Sequence, residues 1–203
     1  PKTRSRGSTA TFTGARISNA ANGYTFSAQA TRVGSTATDA IDAGFNVTAS
    51  TFAFSAMPDR VSGTPFNLTV TAKDNNGLDA ENFTSSIDVN AAATGGSNFV
   101  GGTKTVAAVS GAASFLGVQL TNAANAYRVT ATGGGLNVDS SAFNVVFSTL
   151  TVGAVAAVRS GDPFNIQVDA RDANGTLAEN FGSTLSNGND LTLANLQAAV
   201  VAN

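Results

Sequence analysis

Among its 203 residues the chain has no cysteine, no histidine and no tryptophan. Without cysteine there is neither disulfide nor thiolate chemistry, and thiol usage says nothing of the redox compartment. Without histidine, most zinc sites disappear, together with the Ser-His-Asp and Cys-His nucleophile systems and the commonest general base near neutral pH. Charge is scarce too. Only 12% of residues are charged, about half the usual share, and Ala, Thr, Ser, Asn and 21 Gly take up the difference, a palette expected of an extracellular or cell-surface protein. The formal net charge is -2 and the sole basic run is "KTRSR" at residues 2–6, so the footprint of a nucleic-acid binder is missing. No apolar run reaches membrane-spanning length, so no membrane insertion is expected in this segment. The sequence opens on Pro1 with neither an initiator Met nor a signal peptide, and is expected to be a processed product or an excerpt.

What is present is repetition. "SGTPFNLTV" at residues 62–70 returns as "SGDPFNIQV" at residues 160–168, and the same offset of 98 carries Asp74 to Asp172, Gly77 to Gly175 and "ENF" at residues 81–83 to "ENF" at residues 179–181. A second block, "ATFTGARISNAANGYTFSA" from Ala10, matches "ASFLGVQLTNAANAYRVTA" from Ala113 at an offset of 103. "GFNV" at Gly44 then matches "AFNV" at Ala142 at 98 again, so the five-residue slip falls in one longer loop, between Tyr24 and Phe45. A period near one hundred is too long for a solenoid and suits a whole β-sandwich domain. The 42% of apolar residues suffices to fill such cores. In this frame residues 1–49 are the back half of one module, 50–148 a complete module and 149–203 the front half of another.

Within the module, side chains alternate with the period of a half-buried strand. Phe66, Leu68, Val70 and Ala72 face one way, with Phe164, Ile166, Val168 and Ala170 expected inward in the second copy. Similar alternation marks Phe52 and Phe54, the stretch Tyr127, Val129 and Ala131, and the stretch Phe143, Val145 and Phe147. Only "LTLANLQAAVV" at residues 191–201 hints at helix.

The two tyrosines, Tyr24 and Tyr127, hold equivalent places in "NAANGYTF" and "NAANAYRV", which predicts tyrosine corners whose rings enter the core and whose hydroxyls return to the backbone. "DNNG" at Asp74 and "DANG" at Asp172 have the residue preferences of a type I turn. Hard cations favour clustered oxygens, so Asp74, Asn76 and Glu81, with Asp172, Asn174 and Glu179, are also weak candidates for calcium; turn chemistry alone explains them, and no cofactor is required. Sequons occur at Asn46, Asn67, Asn82 and Asn174, yet Asn144, Asn165 and Asn180 keep the Asn without the Ser or Thr, so the Asn itself is expected to be the structural element. Asp88 with Asp79 or Glu81 is the nearest approach to a glycosidase acid pair, and no other copy repeats Asp79 or Asp88. The chain is not expected to be an enzyme.

"SGTPFNLTVTAKDNNGLDAENFTSS", followed by "ASFLGVQLTNAANAYRVTATGG" and "SSAFNVVFS", resembles the bacterial Ig-like repeats strung along large secreted and cell-surface proteins. The resemblance covers nearly the whole chain. It implies an all-β fold of tandem Ig-like antiparallel sandwiches of Greek-key type, one complete and two half modules, used as a spacer, stalk or adhesin segment with no catalytic residues. Two functional expectations follow: a structural repeat of an extracellular filament or surface stalk, or a module whose loops bind a surface glycan or protein, the longer loop at residues 30–44 being where variation would concentrate. The absence of tryptophan weakens the carbohydrate version. In repeat position the last residue falls almost where the first begins, so neighbouring copies or repeats are expected to complete each other's half modules head to tail.

Overall fold

The computed structural model describes residues 9–29 and 40–181, and among these the protein is all-β, with no helix. At the front, β1 (Ala21–Tyr24) pairs with β4 (Phe45–Val47), and β2 (Ser27–Ala28) with β3 (Ala40–Ile41). The central stretch carries β5 (Thr51–Phe54), β6 (Arg60–Val61), β7 (Phe66–Lys73), β8 (Ser86–Ala92), β9 (Thr105–Ala107), β10 (Ala112–Val118), β11 (Ala124–Gly133), β12 (Leu136–Asp139) and β13 (Phe143–Val146). A last antiparallel pair joins β14 (Thr149–Val152) to β15 (Val168–Arg171).

The central strands make a sandwich-like pair of sheets. One has the order β10-β7-β5; the other has the order β6-β13-β11-β8-β9, with β12 beside β11. Every pairing is antiparallel except β6 with β13. The period-two pattern decides which side chains meet between the sheets: Phe66, Leu68, Val70 and Ala72 of β7 are buried while the residues between them are not. Phe115 of β10 lies beside them in the same sheet, and Ile87 and Val89 of β8 with Tyr127 and Val129 of β11 join the same core from the other sheet. Full burial of each such aliphatic or aromatic side chain contributes about 1.5–3 kcal/mol, so this one cluster dominates the stability of the central unit.

The repeated sequence repeats its hydrogen bonds. Ser27 and Ala28 pair with Ile41 and Ala40 as Thr130 and Ala131 pair with Asp139 and Val138. Both hairpins therefore keep one register, and the five-residue difference falls between Ala28 and Ala40, where residues 30–39 lie outside the described residues. The Asp74 and Asp172 turns likewise match: Gly77 N donates to Asp74 O at 3.1 Å and Gly175 N to Asp172 O at 3.0 Å, with positive φ at both glycines.

One face expected inward is open among the described residues. Phe164 and Ile166, expected to be buried like Phe66 and Leu68, are exposed, and β15 is a strand only from Val168 onward. Burial of Phe66 depends on residues far away in sequence: Phe99, between β8 and β9, meets its ring edge-on at 6.0 Å, and Val118 on β10 is its register partner. Neither has a counterpart among the described residues of the second copy. The helix hint at residues 191–201 lies outside the described residues.

Candidate functional site: a polar junction made twice

The asparagines repeated between copies do the same work in both. Asn76 Nδ2 donates to Asn19 Oδ1 at 2.6 Å, and 98 residues on Asn174 Nδ2 donates to Asn122 Oδ1 at 3.0 Å. Asn82 Nδ2 donates to Asn22 Oδ1 and to Val47 O, both at 3.0 Å; Asn180 Nδ2 donates to Asn125 Oδ1 at 3.1 Å and to Val145 O at 2.9 Å. In each case the turn after a β7-type strand presents two amides to the "NAAN" corner and the β13-type strand of the copy before it. Each neutral hydrogen bond contributes about 0.5–1.5 kcal/mol net, and at the second junction the Phe147 and Phe181 rings also meet edge-on at 5.2 Å.

The Ser-Gly that opens the repeated nonapeptide belongs to the same junction. Ser62, 3% exposed, accepts from Ala173 N at 2.8 Å and donates to Thr121 O, so its hydroxyl ties the turn after β15 to the stretch between β10 and β11. Gly63 follows with φ +77°, and a Cβ there would stand 2.5 Å from Ala173 Cβ, so only glycine lets the next unit approach this closely. Gly63 N also donates to Leu120 O at 2.7 Å. Around this junction a cleft of about 490 Å³ is lined by residues that include Asn122, Asn125, Asp172, Glu179 and Asn180.

The tyrosines brace the corners that carry these asparagines. Tyr24 Oη donates to Asn19 O and Tyr127 Oη to Asn122 O, both at 3.2 Å and both five residues upstream. This is the geometry of a tyrosine corner. The Tyr127 hydroxyl also accepts from Ser97 N at 3.0 Å, and its ring is stacked 5.9 Å from Phe143, as Tyr24 is 6.0 Å from Phe45. Burial pushes the Tyr127 hydroxyl above the ordinary value of 10.0, against the lowering effect of its hydrogen bond with Ser97. A second brace is shared: Asn46 Oδ1 accepts from Gly23 N at 3.0 Å and Asn144 Oδ1 from Ala126 N at 3.1 Å.

The calcium candidates sit in these turns. Asp74 Oδ1 accepts from Asn76 N at 2.8 Å and Leu78 N at 3.0 Å; Asp172 Oδ1 accepts from Asn174 N and Thr176 N, both at 2.9 Å. Each carboxylate is buried and spends one oxygen on backbone, while Glu81 and Glu179 are exposed. Among the described residues no group of three or more His, Cys, Asp or Glu is placed to hold a metal ion. Of the carboxylates considered for glycosidase chemistry, Asp79 is ion-paired with Lys73 and Asp88 accepts from the Thr105 hydroxyl. The sequon amide of Asn82 is already committed to Asn22 and Val47, so glycan attachment there would break the junction. The sequence marks Asn82 and Asn180 as structural but not as partners in a junction; the signal for the junction is the identity of polar residues at turn positions, where core packing requires none. Neither a protein-family model nor a curated protein matches the chain.

Proposed function

We propose that this chain is a structural repeat segment of an extracellular filament or cell-surface stalk, built from Ig-like sandwich modules that follow one another through a fixed junction. The observation that carries this reading is the junction made twice with the same asparagine pairs at the same offset. Similar units joined by the same asparagine contacts carry one rotation and one translation along a chain, which suits a stalk or filament. The partition of strands gives further support: β5, β7 and β10 in one sheet and β8, β11 and β13 in the other match the two-sheet scheme of an Ig-type sandwich. Immunogold labelling of intact cells that make the protein tests the proposal. Label on the outer surface or along filaments is expected; label that appears only after permeabilisation overturns it.

A further inference from the structure

Two apolar faces of the described chain are uncovered where their counterparts in the central sandwich are buried. Phe164 and Ile166 are 51% and 39% exposed, against 8% and 2% for Phe66 and Leu68. Phe12 and Phe26 are 62% and 54% exposed, against 0% for both Phe115 and Val129. The first face belongs to a β7-type strand; the second to a β10-type segment and the hairpin after it. In the central unit these are the partners that close the core.

We infer that the two faces complete one another between two copies of this chain: residues 10–15 of one copy add as an antiparallel strand to residues 164–171 of another. The inference deepens the array reading and rests on it. The register follows from the central unit, where Ala113 pairs with Val70, Ser114 with Thr69, Phe115 with Leu68, and Val118 with Phe66. Carried over by the two offsets, Ala10 meets Val168, Thr11 meets Gln167, Phe12 meets Ile166 and Ala15 meets Phe164. The acceptor is kept in sequence and the donor in conformation. Gly117, at the irregularity between Phe115 and Val118, has φ +65° and donates its N–H to Asn67 Oδ1 at 2.9 Å; Gly14 already holds φ +78°, and Asn165 stands where Asn67 does.

A single copy does not close on itself in this way. Ser62 and Asp74 flank the two ends of β7, and each belongs to a different junction. Eight residues at about 3.3 Å each put the junctions roughly 26 Å apart, with the intact sandwich between the two open faces. An exposed strand with an apolar face is a template for another chain, and a second copy carries the complementary strand in the right register.

The chain has no cysteine, so introduced ones report without background. Thr11→Cys and Gln167→Cys lie on the outward face, where their counterparts Ser114 and Thr69 bring hydroxyls 3.5 Å apart. Mixing the two single variants under mild thiol oxidation is expected to give a disulfide-linked mixed dimer about 10-fold faster than Thr11→Cys with Asp169→Cys, two residues out of register and beyond disulfide reach. The double variant Thr11→Cys/Gln167→Cys is expected to give a ladder of multimers. Equal rates for the two acceptors, a double variant that oxidises only within one chain, or a wild-type chain that stays monomeric by light scattering up to its solubility limit each overturn the inference, the last pointing to completion by further stretches of a longer chain. Cross-linking that fails while surface labelling persists removes this pairing and leaves the array reading standing; loss of surface labelling removes the array reading itself.

Discussion

Replacing Tyr127 by Phe removes one oxygen atom and two hydrogen bonds. The side chain is fully buried, its hydroxyl accepts from Ser97 N at 3.0 Å, and it donates to Asn122 O at 3.2 Å. Gly96 crowds the same spot: a Cβ on it would stand 2.5 Å from the hydroxyl oxygen, which leaves little room for a replacement water. A buried polar group left unpaired costs about 1–3 kcal/mol, and because the edges of this site are only partly buried we expect a total loss of about 2–3 kcal/mol. Tyr24→Phe is the internal control. It removes the same bond to the same upstream position, but at a site that is only half-buried, and should cost at most about 0.5 kcal/mol. Urea unfolding followed by far-UV circular dichroism measures both, since the chain has no tryptophan. A Tyr127→Phe loss within about 0.5 kcal/mol of the Tyr24→Phe loss would refute the argument that burial, not the bond itself, sets the magnitude. The pH dependence adds a second check. The folded-state pKa of Tyr127 lies above its unfolded value of 10.0, so its contribution to stability is fully present below that value and is lost as pH rises through the folded pKa. Wild type should therefore lose stability at alkaline pH more steeply than Tyr127→Phe, and parallel curves would refute the assignment.

Asn82→Asp turns a double donor into an acceptor facing Asn22 Oδ1 and Val47 O, so it should loosen the first junction and broaden the distribution of distances in small-angle X-ray scattering, while leaving the central core intact; an unchanged profile contradicts the junction. Ala126 holds φ +57° where the other copy has Gly23, so Ala126→Gly should raise stability by about 0.5 kcal/mol as relief of left-handed strain outweighs added chain entropy; a lowered urea midpoint would contradict this. Asp74→Ala strands two backbone N–H groups and should cost about 1–3 kcal/mol, whereas Asp74→Asn, which keeps an acceptor oxygen, should cost less than half of that. The melting temperature of the wild type should not move on adding a chelator; a clear drop would make the Asp74 and Asp172 turns calcium ligands.

Much of the local structure was legible because it depends on local chemistry. Alternation at Phe66, Leu68, Val70 and Ala72 fixes an inward face wherever a second sheet is available, and the Asp-x-Asn-Gly turns close through bonds within five residues of the aspartate. Tyr24 and Tyr127 were legible for the same reason, since the corner bond spans five residues. The repeat offsets located the loop that differs, and both flanking hairpins keep one register.

Tertiary structure decided what the repeated polar residues are for. Asn82 and Asn180 read as structural in the sequence because the Asn survives where the sequon does not, but a hydrogen bond spanning 60 or 55 residues has no local signature, so their partners in Asn22 and Asn125 emerge only when the units are set side by side. The same holds for Ser62, whose hydroxyl reaches a backbone N–H 111 residues away. It also decided that identical patterns need not have identical burial. Phe66 and Phe164 carry the same local sequence, and one is buried and the other exposed because alternation specifies which side of a strand is apolar, while burial requires a second surface that the strand itself does not encode.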